Sequence, residues 1–122
     1  LDAQGRAWVT AFDAWSAEMA RAIDRAEVSI GESGGESLDP SLLPPLEGCA
    51  RTLAELGPAP TLLDRALEEA DITCAEIAYA LGVYERYGAP ALASTEQHLT
   101  RAARWLVAAR YTVERRLNPD GS

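Results

Sequence analysis

Apolar positions recur along the chain at spacings of three and four, the period of an amphipathic helix, and four such runs cover most of it. The first joins Trp8, Phe12, Trp15, Met19, Ala22, Ala26 and Ile30 in one stripe, which predicts a helix over about 3–30 with Asp2 as N-cap. Gly31 is expected to end it, and residues 31–37 read as a flexible polar loop. A second helix is expected over 40–56, opened by Asp39 and Pro40, with Leu42, Leu46, Cys49, Leu53 and Leu56 as its seam. Pro44 and Pro45 sit awkwardly in that span, because a proline past the first turn removes backbone bonds. They allow a start as late as Pro44, with Leu42 and Leu43 packing as an extended lead-in.

After the Gly57-Pro58-Ala59-Pro60 turn, Leu63, Leu67, Ala70, Cys74, Ile77, Leu81 and Tyr84 mark a third helix over 61–87. Thr61 and Asp64 resemble a capping box at its start, and Gly88 closes it. Ser94 and Gln97 form a second such box before a fourth helix over 95–117, carried by Leu99, Ala102, Leu106, Ala109, Val113 and Leu117. Asn118-Pro119 stops it. Short connections make consecutive helices antiparallel, so the expected fold is all-α: one domain spanning 1–122, an up-down-up-down four-helix bundle. A weaker apolar line of Ile72, Tyr79 and Val83 runs off the main seam of the third helix and reads as a surface for a partner or a fellow subunit.

Composition agrees with helix: the chain is 48% hydrophobic, rich in Ala and Leu and poor in β-branched residues. Charge narrows the function. The formal net charge is −8, which repels phosphate backbones and argues against nucleic acid as a partner. The five arginines and three acids after residue 87 make that segment the basic one. The chain contains no lysine, which excludes Schiff-base and pyridoxal-phosphate chemistry and a Walker-type phosphate loop. His98 is the single histidine, so no site needing two imidazoles can form. No run approaches the about 18 consecutive apolar residues of a membrane span.

Residues 31–35 match G-x-S-x-G, and Ser33, Asp71 and His98 follow the hydrolase order. A nucleophile elbow, however, needs a buried strand before the serine and a helix directly after it, on an α/β sheet. Here the serine follows a long amphipathic helix, so a Gly/Ser loop is expected instead. Glu68, Glu69, Asp71 and Glu76 concentrate carboxylates on the third helix, but no Glu-x-x-His accompanies them, which excludes a di-iron bundle. Asp64, Glu68 and Asp71 read as a solvated face or as partners for Arg101 and Arg104. No metal site, cofactor or catalytic set is expected.

Cys49 and Cys74 fall on the seams of neighbouring helices and read either as two buried thiols or as a disulfide staple. A hairpin turning between Pro58 and Ala59 would offset them by roughly 9 Å, too far for a bond with about 5.5 Å between Cα atoms. A turn extending through Leu63 brings them within reach.

This Arg-only, Ala-rich pattern, with one cysteine in each arm of a Pro-hinged hairpin, resembles small secreted proteins or lipoproteins of high-G+C bacteria. The resemblance covers mainly residues 42–87. It implies a Cys49–Cys74 disulfide and an extracytoplasmic address, secreted or lipid-anchored through an upstream segment, and it implies no activity. The expected role is a non-catalytic binding or protein-interaction module. The alternative is a bundle holding a small apolar ligand between Trp15, Tyr84 and Trp105. A helical enzyme using Arg101 and Arg104 ranks behind both. The second apolar line permits a homodimer.

Overall fold

The computed structural model describes residues 1–120, and among these it is helical with no strand. Three long helices, α1 (Ala3–Glu32), α4 (Asp64–Tyr87) and α5 (Leu92–Leu117), are joined by a second arm made of two short ones, α2 (Leu43–Glu47) and α3 (Cys49–Ala54). Cross-contacts fix the directions. Trp15 bonds Thr52 and Trp8 bonds Gly57, so the second arm runs against α1. Ala80 meets Thr95 and Glu76 meets His98, so α4 and α5 are antiparallel. Arg110 approaches Asp13 while Thr100 bonds Glu27, so α5 runs against α1. The neighbours around the ring are α1, second arm, α4 and α5, and the α4–α5 contact is the most extensive.

Asp2 caps α1 as expected, its Oδ1 accepting the Gly5 N–H at 2.7 Å. The helix continues past Gly31 to Glu32. It ends where Gly34 takes φ +68° and the N–H groups of Gly34 and Gly35 turn back to the carbonyls of Gly31 and Ile30. That doubled bond satisfies carbonyls left over at a helix end.

The second arm departs from the single helix expected over 40–56. It is a 3₁₀ turn over Pro40–Leu42, then α2, a break at Gly48, then α3. Pro44 and Pro45 occupy the first turn of α2, where backbone N–H groups have no intrahelical partner in any case, so they are tolerated there. Neither expected capping box forms. Thr61 opens a 3₁₀ turn over Thr61–Leu63 and α4 starts after Leu63, while α5 starts at Leu92, directly after a 3₁₀ turn over Ala89–Ala91. In both cases the tighter turn feeds its bonds straight into the helix, leaving the side-chain caps unused.

The core joins the α1 stripe to Leu46 and Leu53 of the second arm, Leu63, Ala66, Ala70 and Ile77 beside α4, and Leu99, Ala102, Leu106 and Ala109 of α5. Trp8, Phe12 and Trp15 form a run of neighbouring rings with centroids 5.0 and 5.8 Å apart.

Candidate functional site

The outer flank of the α4–α5 pair carries the chemistry that the fold leaves exposed. Three rungs set its register. Thr95 donates its hydroxyl to the Ala80 carbonyl at 3.1 Å, His98 Nδ1 lies 2.8 Å from Glu76 Oε2, and the Thr112 hydroxyl donates to Glu69. Glu69 is a buried carboxylate whose charge is met by that hydroxyl across the helix pair. Glu76 and His98 are mostly buried, and Tyr79 lays its ring against the imidazole with centroids 4.3 Å apart.

Ile72 falls midway between Glu69 and Glu76, and Trp105 midway between His98 and Thr112, so the two sit level on adjoining flanks. Ile72 is 37% and Tyr79 56% exposed, while Val83 and Trp105 are half-buried. Beside Trp105, Arg101, Arg104 and Ala108 line a shallow hollow of about 370 Å³. Among the described residues neither arginine has an ion-pair partner. The acids Asp64, Glu68 and Asp71 are exposed and likewise unpaired, so they form a solvated face and do not hold Arg101 and Arg104 within the chain. Glu76, on the α5-facing side of the same helix, serves His98 instead.

Trp15, Tyr84 and Trp105 do not gather around one cavity. The buried Trp15 donates its indole N–H to Thr52 at 3.0 Å on the second-arm side of α1. Trp105 lies on the α4-facing flank of α5. Tyr84 is twelve residues along α4 from the Ile72–Trp105 level, about 18 Å at the helical rise. A hollow of about 500 Å³ lies at the start of α1 against the turn after α3, walled by Trp8, Leu56, Pro58 and Ala59 and open to solvent.

The Ser33, Asp71, His98 order has no spatial counterpart. The Ser33 hydroxyl faces the carbonyls of Ile30 and Ser37 and accepts the N–H groups of Glu36 and Ser37 at 3.1 and 2.9 Å, closing its own loop. The imidazole is committed to Glu76, and Asp71 is exposed.

Cys49 and Cys74 are buried, unlinked and side by side. The residues 55–63 between α3 and α4 make the wide turn that this register needs. Interaction with the Cys74 thiol, and burial after it, push the Cys49 thiol well above its ordinary pKa. It is held as a thiol, the weaker nucleophile. On the opposite face, Glu27 of α1 has its pKa raised by burial first and then by Glu96 and Asp24, with a Thr100 hydrogen bond opposing.

Among the described residues no helix is long and apolar enough to cross a membrane, and no three His, Cys, Asp or Glu side chains are grouped to hold a metal ion. Comparison with protein-family models, with curated proteins and with solved structures finds no match.

Proposed function

We propose that this domain is a non-catalytic protein-interaction module of an extracytoplasmic protein, docking through the outer flank of α4 and α5. The observation that carries this reading is the placement of Ile72, Tyr79 and Trp105 on one flank beside two arginines with no ion-pair partner among the described residues. Exposed apolar and aromatic side chains rimmed by charge are the composition of interface cores. The Glu69–Thr112 and Glu76–His98 bonds beneath them hold the two helices in fixed register, so the flank is presented rigidly.

The extracytoplasmic half of the proposal rests on Cys49 and Cys74. Two adjacent buried thiols in neighbouring arms, the first of them kept protonated, suit a structural staple closed in an oxidising compartment better than a reactive cysteine pair.

Two measurements test the two halves. A photo-crosslinker placed at position 79 in cells is expected to give one discrete product, whereas the same group at exposed Val28 gives none; equal labelling from both positions defeats the docking surface. Mass and thiol titration of protein recovered from its native compartment are expected to show two hydrogens lost and no free thiol. Reduction should then lower stability by about 3 kcal/mol, from reopening a loop of this length. Two free thiols in that material would remove the export argument.

A further inference from the structure

We infer that the groove between α1 and α5 seats an amphipathic helix of a partner protein, with a cationic edge of that helix lying along α1. This surface is on the α1 side of α5, separate from the α4–α5 flank, and docking in one does not depend on docking at the other.

Two lines of residues make the groove. On α1, Val9, Asp13, Ser16, Ala20, Ile23 and Glu27 recur at spacings of four and three, so they share one face. On α5, Thr100, Ala103, Val107 and Arg110 do the same on the antiparallel helix. The middle is small, with Ser16 and Ala20 on α1 and Ala103 on α5, so both ridges are low there. Three hollows run into one another along this line. The first and second share Arg110, and the second and third share Glu27, Ala103 and Val107. The separation of Val9 and Glu27 along α1 makes the whole about 27 Å long, or five helical turns. Its floor is the core itself, reached at Phe12, Ile23, Leu106 and Val113, while Val107 stands 66% exposed on the α5 wall. Ser16 gives its hydroxyl to the Asp13 carbonyl of its own helix, so the floor offers apolar contact. A long apolar floor between two helices is the seat of a helix docked by its apolar stripe.

Charge names the edges of the occupant. The α1 wall carries Asp13, Asp24 and Glu27, and Glu96 stands close to Glu27 at the end of the groove. Glu96 and Asp24 lie near enough to Glu27 that their repulsion adds to burial in raising its pKa. That sets the group apart from the other exposed charges of the chain. Like charges meet here at the mouth of an apolar groove, and a lysine or arginine laid among them relieves repulsion as well as gaining a pair. The α5 wall carries Arg104 and Arg110, and Arg110 reaches across to Asp13 at 4.0 Å with both side chains exposed. An acidic wall facing a basic one fits a helix with a cationic edge over α1 and an acidic or neutral edge over α5. The net charge of −8 favours the approach of such a cationic edge from a distance.

Helical peptides of about 18 residues, the length of the groove, are the probes, and fluorescence anisotropy reads their binding to the whole chain. One has a stripe of leucine and alanine edged with lysine, one has the same stripe edged with glutamate, and one keeps the lysines but scrambles the stripe. The lysine-edged helix is expected to bind, and the other two to bind about 10-fold more weakly or less. Val107→Lys, at an exposed position outside the core, is expected to weaken the lysine-edged helix by about fivefold or more, as is Asp24→Asn combined with Glu27→Gln. Circular dichroism confirms that each variant folds. Ile72→Asp, on the α4–α5 flank, is expected to leave binding unchanged. Failure of the lysine-edged helix to bind overturns the groove as a seat. Equal binding of the scrambled peptide reduces the effect to attraction by net charge and overturns it too. Equal binding of the glutamate-edged helix overturns the cationic edge. Binding that ignores Val107→Lys, or that is lost with Ile72→Asp, places the peptide elsewhere and overturns the assignment to this groove.

Discussion

The two halves of the bundle are held together by opposite means. Around α1 the partner arm is broken at Gly48 and offers only eleven α-helical residues, and the space is filled by bulky rings, Trp8, Phe12 and Trp15, with two indole N–H groups bonding back to Gly57 and Thr52. Between α4 and α5 the helices are continuous and meet on fully buried alanines, Ala66, Ala70, Ala80, Ala102 and Ala109. Small residues let the backbones approach, and polar bonds then lock the register. The first half is specified by volume, the second by closeness.

That contrast predicts where each half breaks. Phe12→Ala, a deletion from the middle of the ring run, is expected to have the largest effect, about 3–5 kcal/mol by denaturant titration. Ala109→Leu tests the close half in the other direction. Added volume between α4 and α5 is expected to cost about 1–3 kcal/mol, whereas an equal cost for Phe12→Leu would erase the distinction. Thr112→Val keeps shape but removes the donor to the buried Glu69, and a loss of about 1.5 kcal/mol is expected. If Thr112→Val proves neutral, the close half is held by packing alone.

The smallest effect concerns Glu27, where α1 meets α5. Its pKa is raised above the ordinary 4.5, so over the interval above that value the folded state holds a proton that the unfolded state has released. Stability therefore falls as pH rises through that interval. Glu27→Gln should flatten the slope and raise stability at pH 7 by no more than about 0.5 kcal/mol, since the site is largely solvated and screened. A steeper slope in the variant would reverse the assignment.

The seams of α1, α4 and α5 are legible in the sequence because a helical period of apolar residues is a local signal. Asp2 is legible for the same reason, since a cap acts three residues away. The second arm is not. Whether Pro44 and Pro45 break a helix or begin one depends on where the preceding turn places them, and the boxes at Thr61 and Ser94 are bypassed by 3₁₀ turns. Ile72, Tyr79 and Val83 stand out from the seam by their phase alone. Glu76–His98 and Glu69–Thr112 span 22 and 43 residues, and such pairs follow from the register of two helices, which no single stripe encodes. For the same reason aromatic residues at seam positions did not foretell that Trp15 and Trp105 face opposite sides.

The three tryptophans also divide the molecule optically. Trp8 and Trp15 are buried in the ring-packed half, and Trp105 alone is half-exposed, on the flank of the close half. A soluble quencher should therefore reach one indole and spare two, so a single emission band contains separate reporters for the interior and for whatever covers the α4–α5 face.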